Sequence, residues 1–173
     1  NTDLYDIASV TKIACTTLCA MKLYNEGLLD INKTVGDYLP EFRGSNKEDI
    51  PLTQILTHTA GLKPWIPFWK HTVNVDGTLR EDLYNPIPTK TFSLEVTPNI
   101  FLTNAYTDTI WQNIIDSPVE ERGSYKYSDL DFYIMKAICE RITHVPIDQF
   151  VKTNFYSPLL LSTIGYNPLT HFS

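Results

Sequence analysis

Ile7-Ala8-Ser9-Val10-Thr11-Lys12 decides how the chain is read, because it opens the first strongly apolar helical segment. Residues 9 to 26 predict a helix. Ile13, Thr17, Met21, Tyr24 and Leu28 recur every three or four residues, the spacing of one core-facing stripe. Gly27 suits the left-handed stop after the last turn. Ser9 and Lys12 are three apart and share one side of that helix. A serine at a helix start lies near N–H groups that lack helical partners and near the positive end of the helix dipole. Both favour a negative oxygen. A lysine one turn later can take the serine proton if burial and neighbouring cations lower its pKa. Spacing alone fits a capping Ser9 followed by a solvated Lys12 equally well.

Working outward, residues 28 to 43 read as an extended stretch and a turn. Pro51 begins a short helix through about Thr57, ended before Gly61. Residues 63–103 change character, with Pro64, Pro67, Pro86, Pro88 and Pro98 and two of the three tryptophans among many polar residues. They predict a long irregular excursion with room for short strands; long loops of this kind often carry function. Residues 104 to 115 predict a helix. A second strong amphipathic helix follows over 128 to 142, where Leu130, Ile134, Ala137, Ile138 and Ile142 supply the apolar positions. Pro146 suits the first position of a shorter helix to about Asn154. Residues 1–173 hold no repeat and no obvious linker, so they predict a single unit.

The chain of 173 residues has 14 basic and 20 acidic side chains, a net charge of −6, which with its scattered lysines and arginines argues against nucleic acid as a partner. No apolar run is long enough to span a bilayer. Cys15 and Cys19 share a helical face and, with Cys139, read as buried free thiols rather than a disulfide or metal site. His71, His144 and His171 sit in no metal-ligand spacing. Trp65, Phe68, Trp69, Tyr84 and Phe92 could line a cleft for an apolar substrate or simply pack the excursion.

The Ser-Val-Thr-Lys run is an S-x-x-K motif of the kind that supplies the nucleophile in β-lactamases and penicillin-binding proteins. With Gly27-Leu28-Leu29-Asp30, Tyr38-Leu39-Pro40-Glu41-Phe42 and Ile55-Leu56-Thr57-His58-Thr59-Ala60-Gly61-Leu62, it resembles the penicillin-recognising serine hydrolases, the class C β-lactamase, DD-peptidase and esterase group. The wording around Tyr127 and Asn104-Ala105-Tyr106-Thr107-Asp108 is most similar to bacterial serine-hydrolase domains attached to sugar-cleaving enzymes. The resemblance covers most of residues 5 to 62 and 104 to 169.

That resemblance implies Ser9 as the acylated nucleophile, with Lys12 and Tyr127 as proton carriers. Tyr127-Ser128-Asp129 stands where the family has Tyr-x-Asn, which makes Asp129 the substrate-binding position. A carboxylate there cannot donate an N–H bond. His58 falls in a structural corner of the family rather than in a Ser-His-Asp triad. No cofactor and no metal are implied; the expected partner is a small-molecule or peptide substrate, in the periplasm or cell envelope. The implied fold is mainly α: the helical portion of an α/β β-lactamase/transpeptidase-like domain, with most of the central antiparallel sheet absent from this chain. No Lys-Thr-Gly or His-x-Gly motif follows Tyr127, so the sequence reads as part of a longer polypeptide. Alone it would lack half its oxyanion hole and be close to inactive. It would also either self-associate through faces the sheet normally covers or be poorly soluble.

Overall fold

A computed structural model describes residues 3–167. His171 and Pro168 lie outside them. Helix α1 opens with a π turn, Lys12–Thr17, and continues as α-helix over Leu18–Asn25. α2 (Val35–Tyr38) and α3 (Leu52–Leu56) follow, joined through a 3-10 turn at Pro40–Phe42. Next come β1 (Tyr84–Asn85), β2 (Phe92–Thr97) and β3 (Ile100–Thr103), then α4 (Ala105–Asp116). α5 (Asp129–Thr143) is the longest α-helix, and α6 (Ile147–Val151) runs into a second π turn, Lys152–Tyr156. The three strands form one antiparallel sheet in the order β1-β3-β2. The fold is thus largely helical with one small sheet.

α5 organises the core. It buries Leu130, Phe132, Ile134, Met135, Ile138 and Cys139 and packs on α1, α2, α3 and α6. Burial of each large apolar side chain is worth about 1.5–3 kcal/mol. The helix starts cleanly because Ser128 stands at its N-cap, where its Oγ accepts the Leu130 N–H at 3.1 Å. It ends at His144, which adopts the left-handed conformation at φ 55°. α2, only one turn long, is fixed by a capping box in which the Asp37 carboxylate accepts the Thr34 N–H at 2.9 Å.

Three expectations need correction. The expected core stripe of α1 is exposed: Ile13 is 69%, Met21 62% and Tyr24 56% accessible. The core face is Cys15, Thr16, Cys19, Ala20 and Leu23 instead. α1 is apolar on both sides, and the π turn shifts the register of the first turns. Residues 28 to 43 are not mainly extended, because Thr34 nucleates α2 and Pro40 a 3-10 turn. The excursion is not irregular throughout; residues 84–103 carry the sheet, with β3 packed against α4. All three cysteines are buried free thiols. Among the described residues no helix is long and apolar enough to cross a membrane.

Lys47 is fully buried, a feature the sequence did not announce. Its Nζ donates to Asn46 Oδ1 at 2.8 Å, Ile115 O at 2.9 Å and Ser117 O at 2.5 Å. It therefore ties the end of α4 to the α2–α3 connection. Burial pushes the Lys47 ammonium down to about 8 against the charge of Asp116, yet three acceptors match the three N–H groups of the charged form. Lys47→Met in the full-length protein should leave the Ile115 carbonyl without a partner and lower stability by about 1–3 kcal/mol in denaturant unfolding.

Candidate active site

Ser9 is presented on a strained turn. Ala8, just before it, has φ 43°, a conformation that costs a non-glycine residue roughly 1–2 kcal/mol. The turn is held by Asp6 Oδ1, which accepts the Ala8 N–H at 2.7 Å, and by the Val10 N–H bond to Ile7 O at 2.9 Å. The exposed Ser9 Oγ then accepts two hydrogen bonds. Lys12 Nζ donates at 3.1 Å, and the Tyr127 hydroxyl, 118 residues away in sequence, donates at 2.7 Å. Two donors converging on one oxygen stabilise negative charge on it.

Lys12 also donates to Asp129 Oδ1 at 2.6 Å and lies 5.0 Å above the Tyr127 ring. The four residues singled out in the sequence thus come together in one cluster. The electrostatics differ from expectation in one respect. A lowered Lys12 pKa was expected from burial and neighbouring cations. Burial does pull the ammonium down, but the hydrogen bond it donates to Asp129, the neighbouring Tyr127 hydroxyl and the charges of both groups outweigh it. The pKa therefore lies above the ordinary lysine value. The cause is the carboxylate at 129: Lys12 is a charged donor in the resting site.

Tyr127, Ser128 and Asp129 are placed by the Thr57–Lys63 corner. Glu120 N–H bonds to Gly61 O at 2.8 Å, Gly123 N–H to Thr59 O at 2.8 Å and Lys126 N–H to His58 O at 2.7 Å. Asp129 N–H continues the ladder to Pro64 O at 2.8 Å, and the Ser128 hydroxyl donates to Lys63 O at 2.5 Å. Gly61 is required there. Its φ is 71°, and a Cβ would sit 2.5 Å from Glu120 O.

Sequence reasoning missed Asp131, a carboxyl 1% exposed on α5 and 2.7 Å from His58 Nδ1. Its only sequence signal was an acid interrupting the apolar positions of 128 to 142. The proposed aromatic cleft does not form as a unit. Trp65 and Trp69 are exposed, Phe68 packs on Tyr133, and the Tyr84 hydroxyl donates to Thr72 at 2.9 Å. A cavity of about 830 Å³ lies elsewhere, lined by Tyr156, Leu160 and Tyr166, and holds none of the four clustered residues. Among the described residues no group of His, Cys, Asp and Glu could hold a metal ion.

The Beta-lactamase family model matches residues 2–171. The chain belongs to the beta-lactamase family. A relative from Salmonella agona, named "Putative D-alanyl-D-alanine carboxypeptidase", is 32% identical over 174 residues. The match takes in 96% of this chain and 34% of the relative. Two solved structures share the beta-lactamase fold. FmtA from Staphylococcus aureus superposes with a TM-score of 0.65 at 20% identity, over 94% of this chain and 37% of its own. A class C beta lactamase gives 0.61 at 19% identity, over 91% and 35%. The chain therefore spans about a third of the length of the curated relatives it matches.

The corner that places Tyr127 can be tested with a matched pair of glycines in the full-length protein. Gly27 shares the φ of 71° but has nothing within 4 Å of a built Cβ. Gly27→Ala should cost only the backbone penalty, roughly 1–2 kcal/mol. Gly61→Ala should cost more and also displace Tyr127, read by urea unfolding together with the crystal structure of the variant.

Proposed function

We propose that the full-length protein is a serine hydrolase that works through an acyl-enzyme on Ser9. The observation that carries it is the Ser9 hydroxyl receiving Lys12 and Tyr127 together. In the proposed reaction Ser9 Oγ attacks a carbonyl carbon, and its proton passes into the Lys12–Tyr127 pair. The leaving group takes a proton back from that pair, and water then releases the acyl group. Lys12 and Tyr127 lie within direct reach of the oxygen, as proton carriers must. Asp129, about one-third exposed beside them, is the substrate-facing position. As an acceptor it suits a substrate that offers an N–H where an amide side chain could have served a carbonyl.

The substrate class is a β-lactam, a peptide ending in D-Ala-D-Ala, or an ester. The name of the Salmonella relative supports the peptide. A second reading is a penicillin- or cell-wall-binding module that acylates without turnover. The Lys12–Asp129 ion pair favours it, because a lysine held as ammonium is a poor base for the attacking water.

In the full-length protein Ser9→Ala should abolish labelling by a fluorescent penicillin or a fluorophosphonate. Lys12→Ala and Tyr127→Phe should each slow acylation by ~10²–10⁴-fold with little change in binding. Full labelling of the serine variant would assign the nucleophile elsewhere. Label that stays on wild-type Ser9 for hours would select the module without turnover.

Asp129→Asn tests the charge of Lys12. With the carboxylate present, the Lys12 pKa is raised, so the free amine that can take the serine proton forms only at alkaline pH and acylation should climb steeply there. Removing the carboxylate takes away its hydrogen bond and charge and leaves burial, which lowers the pKa, opposed by Tyr127 alone, so the rise should move to lower pH and acylation near neutrality should quicken. Identical pH profiles for the two proteins would show that Asp129 does not set the lysine charge.

A further inference from the structure

His58 touches three consecutive residues of the tyrosine segment. Its carbonyl accepts the Lys126 N–H at 2.7 Å. Its ring lies on the Tyr127 ring, centroids 4.6 Å apart and planes inclined by 43°. Its Nδ1 faces the Ser128 N–H at 3.3 Å and Asp131 Oδ2 at 2.7 Å. Tyr125 and Phe132 close around the same imidazole, at 6.1 and 5.3 Å between centroids. The backbone of His58 is itself in the left-handed region, at φ 55°, a strain that needs a compensating set of contacts. Asp131 Oδ1 is buried and has no hydrogen-bond partner among the described residues.

We propose that His58 and Asp131 form a neutral buried pair that holds the Tyr127 hydroxyl on Ser9, both acting as positioning residues for acyl transfer. The proposal rests on the reading of Ser9 as nucleophile and Tyr127 as proton carrier. The proton is placed by geometry. The Ser128 N–H points at Nδ1 from 3.3 Å and so favours a bare nitrogen; the single Nδ1 lone pair is then shared, mostly with the hydrogen that the 2.7 Å contact assigns to Asp131. Nε2 carries the remaining imidazole proton. A bare Oδ1 agrees, because the carbonyl oxygen of a neutral acid tolerates burial without a partner better than half of a carboxylate does. Burial acts the same way on both groups. It raises Asp131 to about 8 and lowers His58, with the Lys12 charge lowering His58 further.

The pair does not act as a Ser-His-Asp relay. Among the described residues His58 makes no hydrogen bond to Ser9, and Tyr127 stands against its ring face rather than on a ring nitrogen. What the pair supplies is stiffness. α5 carries Asp131 at its buried face, the corner carries His58, and the tyrosine lies between these two anchors in the chain. The Tyr127 hydroxyl then has one approach to Ser9. Misplacement of a reacting group by about 1 Å costs on the order of 10²-fold in rate.

The experiment uses the full-length protein with [13Cζ]-tyrosine, the Tyr127 signal being assigned through Tyr127→Phe. Three variants are compared with wild type: Asp131→Asn, Asp131→Leu and His58→Ala. Two readouts are taken, the Tyr127 resonance and the acylation rate constant with fluorescent penicillin, separated from binding by saturation. The asparagine amide can still donate to Nδ1, so Asp131→Asn should keep the wild-type Tyr127 signal and a near-wild-type rate. Asp131→Leu and His58→Ala should shift or broaden that signal and slow acylation by about 10²-fold with binding little changed. Rescue by asparagine is what a merely filled cavity would not give. A Tyr127 signal unmoved by Asp131→Leu overturns the proposal. So does Asp131→Asn behaving like Asp131→Leu, which would mean that a hydrogen bond from position 131 to His58 is not what holds the tyrosine. If either variant fails to fold, the remaining two decide. A wild-type protein that takes no label while the resonances follow the expected pattern would sink the acyl-transfer function and leave the pair's positioning role standing.

Discussion

The hydrogen-bond ladder between the Thr57–Lys63 corner and residues 120 to 129 is the constraint on which the rest of the site depends. Ser9 lies at the start of α1 and Tyr127 just before α5, and no local rule of chain geometry could bring them together. The ladder does so largely by backbone groups, which any sequence possesses, and it needs special residues at few places: Gly61, where two segments come closer than a Cβ permits, and Gly123 and His58, whose φ angles are positive. Once the ladder is made, Ser128 is in place to cap α5, and the helix projects Asp129 to the site and Asp131 to the interior. The packing of α5 on α1 then brings the two ends of the site into register.

Asp129 changes the character of that site. A neutral amide next to Lys12 would leave Tyr127 alone to oppose the effect of burial. The carboxylate adds its hydrogen bond and charge, and together with Tyr127 it outweighs burial and holds the lysine pKa above its ordinary value. Ser9 consequently rests under two donors, one cationic, an arrangement suited to receiving negative charge more than to removing a proton. One side-chain atom, oxygen in place of nitrogen, shifts the balance toward the charged lysine.

The parts legible in the sequence were those with local causes. Helix rules placed Ser9 and Lys12 on one side, Pro51 and Ser128 marked helix starts, and the Gly-containing corner was recognisable as a block. The rest was hidden for identifiable reasons. Periodicity finds an apolar face but cannot choose between two, and α1 has Cys15, Cys19 and Leu23 opposite Ile13, Met21 and Tyr24. The sheet was not placed although Phe92-Ser93-Leu94-Glu95-Val96-Thr97 alternates apolar and polar, because that short run lies in a proline-rich stretch and β2 is exposed along most of its length. Lys47 and Asp131 are buried polar groups whose partners are backbone atoms or a distant ring, and a one-dimensional pattern carries no trace of such partners.

The buried thiols of the core have a further use. Cys19 on α1 and Cys139 on α5 are both buried in the core, at the seam where the helices that bear the two halves of the site pack together. An alkylating reagent can meet them only while that seam is open. Where closing outruns alkylation, the speed of modification is proportional to the open population. Cys19 and Cys139 therefore make a native gauge of how often the packing of α1 on α5 opens, readable by mass without any label introduced into the site itself.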